Sequence, residues 1–194
     1  PHIGDEGAFE QTLVRALQAA EDGGVVTVGI RPTRADTGYG YIEVAAKGEQ
    51  GVQAVKRFVE KPDKERAEQF LRDGGFLWNS GMFFFRGDVM LQAIAEHLPE
   101  LGVQLHEYAR ADSLEEEMRM VKESYASLPR ISIDHGVMEK IENIRVLPGS
   151  FGWHDIGNWM SAWELADKDQ EGNAFRGKVL SVGSNNCLVR GGDK

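Results

Sequence analysis

The stretches FVEKP (residues 58–62) and LWNSGMF (residues 77–83) are the most informative part of this chain. They place a carboxylate, an ammonium and a carboxamide at the ends of apolar strands, where ligands of α/β sheets usually bind. Glu60 can accept hydrogen bonds from hydroxyl groups, Lys61 can meet a phosphate as a point charge, and Asn79 can donate and accept. The alternative is an exposed Glu-Lys pair beside a turn asparagine, since exposed ion pairs are common and individually weak.

Three further segments extend this pattern: IRPTRADTGYGYI (30–42) upstream, and SIDHGVMEK (132–140) and GWHDIG (152–157) downstream. In this order the five segments resemble the sugar-nucleotide pyrophosphorylases. More narrowly, they resemble the long bacterial mannose-1-phosphate guanylyltransferases associated with phosphomannose isomerase. The resemblance runs from about residue 9 to the C-terminus. Each segment alone is weakly specific, whereas five in the family order make a specific signal.

The resemblance implies an α/β fold: a partial Rossmann-like nucleotidyltransferase with a mixed, mainly parallel sheet, flanking helices and the start of a C-terminal β-helix. We expect residues 1–172 to form the sugar-phosphate half of the nucleotidyltransferase domain. Residues 173–194 are expected to begin the β-helix region, because helices give way there to short β runs separated by Gly and Asn.

Apolar periodicity and turn residues predict the individual elements. Asp63, Asp88 and Ser113 are expected to cap helices, and the apolar run 82–85 is expected to be buried. A turn over 47–51 joins two strands as a hairpin. The predicted helices cover 8–22, 63–71, 88–98, 99–111, 113–125 and 158–166, and the predicted strands cover 25–30, 41–46, 52–59, 76–86, 143–147, 151–155, 178–182 and 187–190.

A Gly-rich loop of the form G-x-G-x-R, with which the family binds its nucleoside triphosphate, does not occur in this sequence. The family also carries an Asp-His pair, whose Asp binds magnesium, shortly before the helix predicted to begin near Phe9. We therefore expect the chain to be a fragment, cut at both ends and inactive alone. Its loss of neighbouring segments would leave strand 25–30 with an unpaired edge and uncover apolar area, which predicts a homo-oligomer.

The formal charge of −9 argues against nucleic acid and membrane partners, because both require clustered Lys and Arg. An anionic protein that binds an anionic sugar phosphate needs a local cation to reverse the field at its site. The single cysteine, Cys187, excludes an intrachain disulfide and favours a reducing, cytoplasmic location, with Cys187 as a small apolar strand residue.

The family reaction is an attack of a mannose 1-phosphate oxygen on the α-phosphorus of GTP, with release of pyrophosphate and no protein nucleophile. The resemblance implies Mg²⁺ as the cofactor and Asp155 as its ligand, which agrees with the preference of Mg²⁺ for one or two carboxylates plus phosphate oxygens. The other interpretation of Asp155 is the cap of the helix over 158–166. By resemblance, the catalytic residues are Asp155 and Lys61, the metal ligand is Asp155, and the substrate-binding residues are Gly40, Glu60, Lys61, Asn79 and Asp134.

The segment around Asp134 departs from the family, which more often has Tyr-Ala where this chain has His135-Gly136. Three alternatives remain open. The pairs 134–135 and 154–155 are compatible with a metal-dependent phosphohydrolase of the His-Asp type, although that chemistry uses several His and Asp ligands. A non-catalytic sugar-phosphate-binding or structural module and a pyrophosphorylase for another hexose 1-phosphate are the other two.

Overall fold

A computed structural model describes residues 1–45 and 51–192. The chain divides into two compact units, Glu6–Ser150 and Pro1–Asp5 with Phe151–Lys194. Within the described ranges, no helix combines the length and the apolar character that a membrane crossing demands. The predicted boundary at residue 172 stays a prediction.

The larger unit carries most of the regular structure, and the smaller unit has three short elements. The larger unit consists of α1 (Glu6–Glu21), β1 (Val25–Ile30), β2 (Tyr41–Val44), β3 (Gln53–Val59), α2 (Lys64–Asp73), β4 (Phe76–Phe85), α3 (Gly87–His97), α4 (Pro99–Tyr108), α5 (Leu114–Ser124), a 3₁₀ turn (Tyr125–Ser127), a π-helical turn (Asp134–Met138) and β5 (Ile144–Gly149). The smaller unit contains α6 (Trp159–Leu165), β6 (Ala174–Arg176) and β7 (Leu188–Arg190).

The sheet of the larger unit has the order β1-β4-β2-β3-β5 and closes by pairing β5 with β1. The predicted mixed sheet is confirmed, but "mainly parallel" is wrong for the described strands. Only β1 and β5 are parallel, whereas β1–β4, β2–β3, β2–β4 and β3–β5 are antiparallel. Only β2 and β3 are joined directly by a short link, which returns the chain antiparallel. The other three antiparallel pairs join strands that are far apart in the chain, so local patterns do not determine their direction.

Strand β1 pairs with a neighbour on each side, and its predicted bounds, 25–30, are confirmed. Its run of Val25, Val26 and Val28 is almost fully buried, as expected for a strand with neighbours on both sides. The expected unpaired edge of β1 is wrong, because β4 and β5 flank it. The core around it contains Val25, Ile42, Val44, Phe58, Met90, Ile94, Val137, Met138, Ile144 and Val146.

Side-chain caps fix where several helices begin. Asp63 accepts a hydrogen bond from the Arg66 N–H at the start of α2, and Ser113 accepts one from the Glu116 N–H at the start of α5, so both predicted caps are confirmed. The cap predicted at Asp88 is wrong. Helix α3 begins at Gly87, and the Asp88 carboxylate instead pairs with the Arg86 guanidinium at 2.7 Å.

Three predicted β features differ from the structure. Residues 151–155 form no strand, and Gly152 has a φ of +64°. The backbone there forms an isolated bridge between His2 and His154, and the Phe151 carbonyl accepts from the Gly4 and Asp5 N–H groups. Residues 178–182 form none either, and Leu180 is 93% exposed. The run 82–85 is only half-buried, with Phe85 exposed at the strand end.

The remaining β predictions concern the hairpin of β2 and β3 and the short strands of the smaller unit. Residue 46 of the predicted strand and residues 47–50 of the predicted turn lie outside the described residues, while β2 and β3 pair antiparallel as expected. In the smaller unit β6 pairs parallel with β7, and Cys187 is a half-buried residue directly before β7. The start of a β-helix stays a prediction.

Candidate active site

Gly40, Glu60 and Asn79 meet where three strands of the larger unit come together. A Cβ added to Gly40 would lie 2.5 Å from Glu60 Oε2, so only glycine leaves room for that carboxylate. The Gly40 carbonyl accepts a hydrogen bond from the Asn79 N–H at 2.8 Å. The Glu60 side chain is only 8% exposed. Gly40 therefore lies against both Glu60 and Asn79.

Asn79 is held in place at a bulge in β4. Strand β1 pairs Gly29 with Asn79 but Thr27 with Phe83, which leaves extra residues on the β4 side. The Asn79 Oδ1 accepts hydrogen bonds from the Thr27 hydroxyl at 3.2 Å and from the Gly81 N–H at 3.0 Å. Sequence reasoning missed Thr27, although a lone hydroxyl in an otherwise apolar strand was a signal.

The π-helical turn delivers two carboxylates to the same place. Its hydrogen bond spans five residues, from the Glu139 N–H to the Asp134 carbonyl at 2.9 Å. Such turns occur frequently at functional sites. Asp134 Oδ1 accepts from Asn79 Nδ2 at 3.2 Å. Glu139 Oε1 accepts from the Glu60 N–H at 2.9 Å. Asp134 thus joins the cluster as predicted, whereas Glu139 was missed because no sequence spacing indicates a π-turn.

The His135-Gly136 departure from the family is explained by packing. Gly136 is buried, and a Cβ there would lie 2.8 Å from Leu98 Cδ1. His135 is exposed, and its Nδ1 lies 3.1 Å from the Ser132 hydroxyl. The His135 side chain therefore contacts Ser132 just before the turn, and Gly136 lets the turn approach the junction of α3 and α4.

Lys61 lies at the rim of the cluster in a strained backbone conformation. Its φ is +43°, a left-handed value that non-glycine residues rarely adopt and that often marks functional positions. Its ammonium contacts Glu60 Oε1 at 2.7 Å, and its side chain is 61% exposed. The hydrogen bond and the charge of Glu60 raise the pKa of Lys61, despite partial desolvation, and Asp134 adds to the effect. The Glu-Lys pair is thus exposed on its lysine side only.

The cluster is rich in hydrogen-bond acceptors. Glu60, Asp134 and Glu139 contribute three carboxyl groups, against the one ammonium of Lys61. Carboxylates accept hydrogen bonds from hydroxyl groups, whereas they repel phosphate. The arrangement suits a polyhydroxylated ligand whose anionic end reaches the Lys61 side of the site.

Asp155 belongs to the smaller unit, where it is half-buried. Its alternative interpretation as a helix cap is wrong, because Asn158 caps α6 by accepting from the Ser161 N–H at 2.9 Å. Among the described residues, nothing forms a hydrogen bond or an ion pair with the Asp155 carboxylate. It follows a bend rather than a strand. The same ranges contain no group of three or more His, Cys, Asp or Glu side chains arranged to hold a metal ion, the arrangement that a His-Asp phosphohydrolase uses.

Comparison with known proteins gives close relatives. The chain is 41% identical over 195 aligned residues to the alginate biosynthesis protein AlgA of Pseudomonas aeruginosa, covering 99% of this chain and 40% of that protein. It is 36% identical to a mannose-1-phosphate guanylyltransferase of Sinorhizobium fredii, covering 95% of this chain and 36% of that protein. The chain therefore spans about 40% of the length of such curated relatives.

Two solved structures are also similar to this chain. A crystal structure described as a mannose-1-phosphate geranyltransferase from Thermus thermophilus matches with a TM-score of 0.83 and 37% identity, over 98% of this chain and 55% of that one. A Helicobacter pylori mannose-6-phosphate isomerase matches with a TM-score of 0.66 and 29% identity, over 79% of this chain and 60% of that one.

The α/β nucleotidyltransferase-like fold expected from the sequence is confirmed by these matches, and so is the resemblance to mannose-1-phosphate guanylyltransferases. Residues 2–172, most of the sequence, match the nucleotidyl transferase family model. This chain is a member of the nucleotidyl transferase family.

Proposed function

We propose that this chain is the sugar-phosphate part of an enzyme that makes GDP-mannose and pyrophosphate from GTP and mannose 1-phosphate. The observation that carries the proposal is the convergence of Gly40, Glu60, Asn79 and Asp134 on one acceptor-rich site, with the Lys61 ammonium at its rim. The similarity to curated mannose-1-phosphate guanylyltransferases supports the choice of sugar and base.

Each side chain has a role that fits its surroundings. The buried Glu60 carboxylate and the Asp134 carboxylate accept hydrogen bonds from sugar hydroxyls, and Asn79 is hydrogen-bonded to Asp134. Lys61 exchanges its contact with Glu60 for one with the sugar phosphate, which its exposed side chain permits. Catalysis then rests on positioning and charge neutralisation, because the attacking phosphate oxygen is already ionised.

A divalent cation, Mg²⁺, fits the donor that the smaller unit offers. Mg²⁺ is commonly bound by one or two carboxylates together with phosphate oxygens and water, and the Asp155 carboxylate has no other partner among the described residues. When bound, Mg²⁺ offsets the negative charge of the phosphates. Asp155 is the residue of this chain that would hold it.

The proposal also covers the location, the oligomeric state, the C-terminal segment and the partners of the enzyme. We propose a cytoplasmic homo-oligomer, and a β-helix beginning at residues 173–194, which the parallel pairing of β6 with β7 supports. Neither nucleic acid nor a membrane is proposed as a partner, in keeping with the formal charge of −9.

Calorimetric titration with mannose 1-phosphate tests the sugar site. Glu60→Gln is expected to weaken binding about ten- to a hundredfold, because a hydrogen bond to a charged group contributes about 1.5–3 kcal/mol. The matched control is Glu68→Gln on α2, whose side chain is 44% exposed and lies outside the cluster. Equal weakening of GTP binding by Glu60→Gln, in the polypeptide of the complete reading frame, would assign this residue to another part of the site.

Turnover tests the reaction and the metal ligand. In that polypeptide, Asp155→Asn should lower pyrophosphate release on the order of a hundredfold, comparable to losing one preorganised transition-state contact, while Asp167→Asn should not. Near-normal turnover of Asp155→Asn at limiting Mg²⁺ contradicts the metal assignment.

The same assays distinguish the alternative functions. Binding without turnover by the unaltered polypeptide indicates a non-catalytic module, and a preference for glucose 1-phosphate indicates a pyrophosphorylase for another hexose 1-phosphate. The 194-residue chain alone is expected to bind the sugar phosphate without releasing pyrophosphate.

A further inference from the structure

Thr27 is a polar residue buried in the middle of the apolar strand β1. It is fully buried and lies between Val26 and Val28, which are fully buried as well. Burying a hydroxyl is unfavourable unless it forms a hydrogen bond, and a valine at this position would fit the strand without that cost. The hydroxyl donates to Asn79 Oδ1 at 3.2 Å. The hydroxyl therefore acts on the Asn79 side chain.

The hydrogen bonds of Asn79 determine which way its carboxamide faces. Its Oδ1 has two lone pairs, and both are taken by the donors Thr27 Oγ1 and Gly81 N–H. Its Nδ2 uses one N–H on Asp134 Oδ1. A flipped carboxamide would point Nδ2 at the Gly81 N–H and Oδ1 at the Asp134 carboxylate, so both contacts oppose the flip.

One N–H of Asn79 is left over. Among the described residues it has no acceptor, although Asn79 is only 9% exposed. An unused donor at a nearly buried position is costly unless a ligand or water accepts from it. The neighbouring Glu60 and Asp134 carboxyl groups only accept when ionised. Besides the Lys61 ammonium at the rim, the cluster therefore presents this amide N–H as a donor next to carboxyl groups that only accept.

We propose that Thr27 is a positioning residue: together with the Gly81 N–H it fixes the Asn79 carboxamide so that its free N–H is donated to a hydroxyl oxygen of the sugar phosphate. This inference rests on the proposed function. Towards the ligand, Asn79 then acts only as a hydrogen-bond donor. The bound sugar must therefore place a hydrogen-bond acceptor at this point.

Thr27→Val tests the proposal because it replaces the hydroxyl with a methyl group of similar shape. We expect mannose 1-phosphate to bind about five- to tenfold more weakly, the size of one neutral hydrogen bond. Thr27→Ser, which keeps the hydroxyl, should restore most of the affinity. The matched control is Thr12→Val in α1, whose hydroxyl donates to the Ala8 carbonyl of the same helix and whose loss should leave the affinity unchanged.

Two readouts separate positioning from a general packing effect. In an Asn79→Ala background, Thr27→Val should cause no further loss of affinity, because the partner through which Thr27 acts is absent. In the ligand-free protein, NMR should show the Asn79 side-chain amide protons exchanging with water several-fold faster in Thr27→Val than in the unaltered chain.

The outcomes are distinguishable from failure of the proposed function. If the unaltered protein does not bind mannose 1-phosphate, the proposed function fails, and the exchange rates of the Asn79 amide protons still decide whether Thr27 positions that group. If the sugar phosphate binds but Thr27→Val binds it equally well, or if the loss persists in the Asn79→Ala background, Thr27 has no positioning role.

Discussion

Lys61 combines a functional contact with an unfavourable backbone conformation. Its φ of +43° is left-handed, while its ammonium contacts Glu60 at 2.7 Å. A left-handed conformation costs roughly 1–2 kcal/mol for a residue that has a Cβ. The adjacent Glu60 N–H is held by Glu139 at 2.9 Å, which helps to keep the chain in this conformation. Strain that persists beside a ligand site is consistent with selection for the position of the side chain.

Lys61→Gly should therefore separate stability from binding. Lys61→Met loses the same ammonium contact with Glu60 but keeps its Cβ, so it is the reference for stability. Glycine adopts a positive φ without strain, so the free energy of unfolding of Lys61→Gly should equal that of Lys61→Met or exceed it by up to about 1 kcal/mol. Lys56→Gly, at an exposed position of β3, should instead cost about 0.5–1 kcal/mol. Urea denaturation measures both. Calorimetry should show equal loss of mannose 1-phosphate affinity for Lys61→Gly and Lys61→Met. A Lys61→Gly variant that is less stable than Lys61→Met by the amount that Lys56→Gly loses would contradict the left-handed assignment.

The ion pair of Lys61 also predicts a pH dependence. Hydrogen bonding to Glu60 raises the pKa of Lys61 above the ordinary lysine value of 10.5. Because the folded-state pKa exceeds the unfolded one, this pair stabilises the fold fully below about pH 10.5 and loses its effect as the pH rises through the folded value. NMR titration of the Lys61 side chain should give a lower pKa in Glu60→Gln. An identical pKa in both proteins would mean that the pair does not form in solution.

At the scale of elements, β1 positions the site through its close approach to β4 and β5. Gly29 pairs with Asn79, and a Cβ there would lie 2.7 Å from both Leu77 Cδ1 and Val146 Cγ2. The glycine therefore lets the three strands pack at the point where the carboxamide is held.

Gly29→Ala is expected to destabilise the protein by about 1–3 kcal/mol, because overpacking a buried strand displaces its neighbours. Gly87→Ala, at the first residue of α3 with nothing within 4 Å of its added Cβ, should change stability by less than about 0.5 kcal/mol. Chemical denaturation of both variants provides the comparison. Equal stability of the two would show that β1 has room for a side chain at this position.

Local patterns predicted the elements whose causes are local. The apolar run of β1 and the caps at Asp63 and Ser113 were predicted correctly, because burial and capping depend on residues a few positions apart. The strand directions were not, since they depend on which distant segments pair. In the site, Gly40, Glu60, Asn79 and Asp134 were predicted by resemblance and lie together. Thr27 and Glu139 were missed, because each acts across a long sequence separation.

At the scale of the whole molecule, formation of a homo-oligomer remains a prediction, but its physical reason is no longer an unpaired edge of β1. The edge of β1 is paired on both sides, so it is not available for recruiting another chain. Apolar side chains are exposed in each unit, with Met118 at 65% in the larger and Trp159 at 74% in the smaller. Exposed apolar area favours association, while a formal charge of −9 opposes it.

Light scattering should therefore show dimers or larger species whose proportion rises with salt, because salt screens the charge repulsion. Met118→Lys and Trp159→Lys should each reduce association at a given protein concentration if the residue lies in the contact. Glu115→Lys provides a control for the added charge at the start of α5. A chain that stays monomeric at all salt concentrations would contradict the predicted homo-oligomer.

The hydrogen bonds that hold the carboxamide and the Glu60 backbone have a consequence for folding kinetics. They join residues that are 52, 55 and 79 positions apart in the chain. Contacts at such separations form only after the intervening loops have closed, so they belong to the late steps of folding. The binding site for a sugar phosphate therefore does not yet exist while the chain collapses. Added sugar phosphate should slow unfolding and leave the refolding rate unchanged.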